Sequence, residues 1–108
     1  MSARIEQIVE IIEEVKSSLS SGSSRIPIPF LRLRAVRSVA KNHMITEQTV
    51  LAKITRELNP DINFIHEFDA LLNSYVTSGS DKLAKLLLKH AVDERDKQLI
   101  HNAFASIL

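Results

Sequence analysis

The stretch PFLRLRAVRSVAKNHMITEQTVLAKITREL, residues 29–58, decides how the chain folds. Within it Leu33, Val36, Val39 and Ala40, with Phe30 at the start, recur at helical spacing, which predicts a helix ending near His43 with these residues facing inward. Arg34, Arg37 and Lys41 fall on another face. Pro29 suits the first helical position, where its fixed φ is helical and its missing N–H is not needed. A break around residues 44–46 precedes a second helix, about residues 47–58, with Val50, Leu51, Ile54 and Leu58 as its buried set. Thr46 is placed to cap it, its hydroxyl accepting from an orphan amide, and Glu47 favours the positive end of the helix dipole. The expected class is therefore all-α, a single compact helical domain of about five to six helices.

Upstream, Ile5, Ile8, Ile12, Val15 and Leu19 form one stripe of an amphipathic helix over residues 1–19, widened by Val9 and Ile11. So broad a face is too wide for a strict coiled-coil seam. It either packs on several neighbours in its own domain or serves as a dimerisation arm in a partner subunit. Six serines and one glycine over residues 17–24 make poor helix, so residues 20–28 read as a Ser-rich linker, extended where Ile26 and Ile28 precede Pro27 and Pro29. The helical domain then covers residues 29–108.

Downstream, Asn59, Pro60 and Asp61 stop the second helix. Phe64, Ile65, Phe68, Leu71, Leu72, Tyr75 and Val76 mark a strongly amphipathic helix over about residues 62–76. After a loop at residues 77–80, Ser80 or Asp81 caps a short helix carrying Leu83, Leu86, Leu87 and Ala91. Asp93 marks a bend, and a last helix carries Leu99, Ile100, Ala103, Phe104 and Ile107. The apolar end, residues 104–108, needs the core or a neighbouring chain to dock on.

With 108 residues, 44% of them hydrophobic, only two Gly and no Cys, the chain is too apolar for disorder and too poor in turns for an all-β domain. There is no disulfide framework, thiolate zinc site or thiol nucleophile. No apolar run approaches the roughly 18 residues of a membrane span. A cytoplasmic protein without a membrane partner is expected. His43, His66, His90 and His101 share no metal-ligand spacing, and neither Gly22 nor Gly79 belongs to a phosphate loop. No catalytic residue, metal site, cofactor or small-molecule substrate is evident, so the chain reads as a non-enzyme.

The net charge of +1 hides an uneven distribution. Residues 1–24 carry −2; residues 25–58 carry seven basic against two acidic side chains, a net of +5; residues 59–108 carry −2. One basic block between two acidic ones is the asymmetry expected of a local phosphate-binding surface.

Inside that block, Val39 and Ala40, then Ile45 and Thr46, then Gln48, Thr49 and Val50, with Ile54 after them, resemble the helix-turn-helix DNA-binding domains of bacterial repressors of the lactose repressor type. The resemblance covers residues 39–54, within a helix-turn-helix at 30–58. Met44 stands where the family usually carries Gly, so either the turn has another shape or the two helices are an ordinary helical hairpin. Leu51 stands where the family commonly faces DNA. What the resemblance implies is a small DNA-binding protein, a transcriptional regulator, whose second helix enters the major groove. Thr46, Glu47, Gln48, Ala52 and Thr55 would then lie nearest the bases, Gln48 being suited to adenine and Glu47 to cytosine. Arg32, Arg34, Arg37, Lys41, Lys53 and Arg56 would contact phosphates. Because one such unit reads few base pairs, a homo-oligomer, a dimer, is implied, through the first or the last helix. The alternative is a non-catalytic helical protein–protein interaction or oligomerisation module.

Overall fold

The computed structural model describes residues 5–22 and 25–108, and the apolar periodicities become six helices there. They are α1 (Glu6–Ser20), α2 (Ile28–His43), α3 (Glu47–Glu57), α4 (Ile65–Ser78), α5 (Lys82–His90) and α6 (Glu94–Ala103). No strand occurs among the described residues. The expected helix start before residue 5 and linker positions 23 and 24 lie outside them.

The principal packing contacts close α1, α2, α4, α5 and α6 into a ring, and α3 rests against α2 and α4 from outside it. The broad stripe of α1 explains its place in the ring. Ile8, Ile11, Ile12 and Val15 are fully buried, Val9 nearly so, and the helix lies between α2 and α6. An arm reading therefore fails for α1, because its apolar face is covered within its own chain. The C-terminal end is also docked internally, with Phe104 fully buried and its ring 4.7 Å from that of Tyr75. Among the described residues, both routes expected for a dimer have their apolar faces covered within the chain, apart from Leu108, which is 44% exposed. Buried Asp96 ties the two ends together, its Oδ1 accepting from the Ile5 N–H at 3.2 Å where α1 begins.

Two expected faces shift register. In α2 the inward row is Ile28, Leu31, Ala35, Val36, Val39 and Ala40, while Leu33 is half-buried and Phe30 is 60% exposed. With about 100° per residue, Phe30 lies opposite this row. The helix also starts one residue before Pro29, so Pro29 occupies the second helical position. The other shift is in α4, which begins at Ile65 rather than near residue 62. Ile62 is buried in the preceding turn, and Phe64 is the exposed N-cap residue. Phe64 has no side-chain acceptor, so only the Glu67 half of a capping box forms, Glu67 Oε1 accepting from the N–H of Phe64 at 3.0 Å and of Asn63 at 3.1 Å. At α5 the side chain of Ser80, not Asp81, accepts from the Lys82 N–H. Asp93 caps α6 by accepting from the Asp96 N–H at 2.8 Å.

Candidate nucleic-acid interface

Three residues, Met44, Ile45 and Thr46, separate α2 from α3. Met44 takes the left-handed conformation (φ 55°, ψ 43°) in which the resembled domains use glycine. Its N–H donates to the Lys41 carbonyl at 3.3 Å, and the Ile45 N–H donates to the Ala40 carbonyl at 3.0 Å. This pairing closes a helix with a Schellman turn and satisfies carbonyls the helix would leave open. Ile45 is half-buried against the core, whereas Met44 is 90% exposed. The left-handed backbone is thus held by the two hydrogen bonds and the Ile45 anchor, not by packing of the methionine. Thr46 begins α3 as expected, with its Oγ1 accepting from the Thr49 N–H at 3.1 Å.

On α3 only Val50 and Ile54 are buried, followed by Leu58 just past its end; Leu51, expected in that set, is half-buried. Thr46, Glu47, Gln48 and Ala52 are exposed. Thr55 is half-buried and its hydroxyl donates to the Ala52 carbonyl at 3.1 Å. Gln48, Ala52 and Arg56 recur every four residues and run as one line along the outer face, with a small side chain at its centre. Lys53 is half-buried at its edge, and exposed Arg56 lies 3.7 Å from Glu57.

The basic residues of α2 divide into two groups. Arg32 is not available to a phosphate: its Nε and a terminal nitrogen donate to the two carboxylate oxygens of Asp69 at 2.9 and 3.0 Å, with both side chains about nine-tenths buried. It faces α4 because 100° per residue turns position 32 toward the inward row that begins at Ile28. Arg34, Arg37 and Lys41 share the solvent-facing row with Phe30. Among the described residues Arg34 and Lys41 have no ion pair, whereas Arg37 lies 3.5 Å from Glu47 at the start of α3. Neither pairing was expected. Asp69 stands 37 positions from Arg32 and nothing local links them; Glu47 carries only the signal of opposite charge across a short turn.

Two of the four histidines, His43 and His90, tie separate segments together. His43 Nε2 is 2.7 Å from Glu10 on α1, and His90 Nε2 is 2.8 Å from Asp61, which Lys89 also contacts at 2.9 Å. Hydrogen bonds from Lys89, then from His90, hold the Asp61 carboxyl below its ordinary value. Among the described residues no group of three His, Cys, Asp or Glu could hold a metal ion, and no helix is long and apolar enough to cross a membrane. Comparison with protein-family models, with curated proteins and with solved structures finds no match to the chain.

Proposed function

We propose that this chain is a small, non-catalytic helix-turn-helix DNA-binding protein, a cytoplasmic regulator. The observation that carries the reading is the exposed, capped start of α3, presented behind a three-residue turn with a left-handed first residue. That arrangement leaves Gln48 and Ala52 free for base edges, with Thr46 and Glu47 at the groove entrance and Thr55, its hydroxyl bonded to the Ala52 carbonyl, at the edge. Arg34, Lys41, Lys53 and Arg56 supply phosphate contacts around it, with Arg37 beside Glu47. Fluorescence anisotropy with a labelled random duplex at low salt tests the proposal. Binding in the micromolar range is expected, with log affinity falling linearly against log salt; its absence at tens of micromolar protein, or an affinity unchanged by salt, overturns the reading.

A second reading has its own observation. Phe30 is 60% and Phe64 is 64% exposed, and the Phe64 ring stacks on His66 at 5.7 Å, which favours a helical protein-interaction module. Charge reversal of Arg34 and Arg37 separates the two. DNA binding is lost with the fold kept under the first reading, and only a protein partner is lost under the second.

A further inference from the structure

A carboxylate at the first position of a helix aimed at DNA is a liability, since it repels the phosphates that flank any groove. Glu47 occupies that position, its side chain 46% exposed. The guanidinium of Arg37 lies 3.5 Å away, reaching across the turn from the preceding helix, and its side chain is 63% exposed. So exposed a pair contributes little to folding. Its neighbours on the same row, Arg34 and Lys41, carry their charges without an acidic partner among the described residues.

Resting on the DNA reading above, we infer that Arg37 is a positioning residue that acts through Glu47: it cancels the carboxylate at the mouth of α3 and fixes its direction, and it does not itself hold a phosphate. The row on α2 then divides by role. Arg34 and Lys41 attract the backbone directly, while Arg37 makes the entrance of α3 electrically neutral so that Gln48 and Ala52 can approach base edges. The partner this favours is duplex DNA approached closely at the start of α3.

Salt titrations of duplex binding by the full chain and five variants test the inference. Arg37→Ala leaves Glu47 uncompensated and is expected to weaken binding roughly three- to fivefold, the scale of one unit charge acting across several ångströms of a water-like medium, with the salt slope unchanged because no phosphate contact is lost. Glu47→Gln frees the guanidinium and is expected to tighten binding by a similar factor, with the slope of log affinity against log salt steeper by about one unit. The double variant is expected to return to wild-type affinity and slope. Arg34→Ala, which removes a direct phosphate contact, is expected to lower the salt slope by about one unit in both the wild-type and Glu47→Gln backgrounds. A salt slope lower than wild type by about one unit in Arg37→Ala and in the double variant overturns the inference alone, because Arg37 would then touch phosphate directly. No duplex binding by the wild-type chain overturns the DNA reading and this inference with it. Circular dichroism of each variant separates a fold defect from a charge effect, and a wild-type spectrum is expected for all five.

Discussion

At the scale of single residues, Met44 and Arg32 show how position outweighs residue type. Met44 carries a left-handed backbone that costs an L-residue roughly 1–2 kcal/mol, and its exposed side chain returns little of that by packing. Met44→Gly removes the strain and adds some unfolded-state entropy, so a net stabilisation of up to about 1 kcal/mol is expected in urea unfolding, with the turn unchanged. Arg32 belongs by type with the other arginines of α2, yet its pairing with Asp69 makes it a structural residue. Arg32→Ala leaves a buried carboxylate without its partner and should cost about 3 kcal/mol, whereas Arg34→Ala on the exposed row should stay within about 0.5 kcal/mol. Denaturant midpoints of the two variants check this contrast. Equal midpoints would show that Arg32 does not hold α2 to α4.

At the scale of elements, helix ends were the most legible part of the chain because a cap is made by residues next to one another. Thr46 caps α3 as expected, and Asp93, expected only as a bend, caps α6 by the same short-range chemistry. Thr46→Ala should cost about 1 kcal/mol and loosen the start of α3, read as faster amide exchange over Gln48 and Thr49. The start of α4 was less legible, since the turn residues before it hide a buried Ile62 and an exposed Phe64 in what looks like one continuous helical pattern. Between these helices Asp61 fastens the turn after α3 to the end of α5 through Lys89 and His90. Its carboxyl is lowered in the folded state, so its contribution to stability is fully present above the ordinary carboxylate value and is lost as pH falls through the lower folded value. Asp61→Asn should flatten the acid limb of stability against pH and leave its neutral shape alone. Thermal melts across the acid range measure the difference.

At the scale of the whole molecule, the placement of α1 governs what the rest can do. Packed between α2 and α6, it closes the ring with its apolar face buried, and Ile12→Ala should cost about 2–5 kcal/mol by leaving a cavity there. A chain lacking residues 1–20 should lose its cooperative thermal transition, whereas a detached arm could be removed without consequence. Calorimetry of the shortened chain decides between these. The same packing leaves α3 at the periphery, with a buried side of two residues and an outer side open to a partner.

Much of this was written in local order. Apolar recurrence, prolines before helix starts and hydroxyl or carboxylate caps act over a few residues, and these determined by themselves that the chain is all-α and where α2 and α3 meet. The basic block between acidic ones was also legible, because charge is counted along the chain. What only the tertiary structure decided were the facts that depend on two distant segments meeting. The inward row of α2 runs through Leu31 and Ala35, because α1 and α4 pack on that side. Arg32 is lost to Asp69, and the stripe of α1 is covered from within the chain. Periodicity shows that a helix has an apolar face; which neighbour covers that face, and which of its charges is left over for a partner, is settled by the packing of the whole.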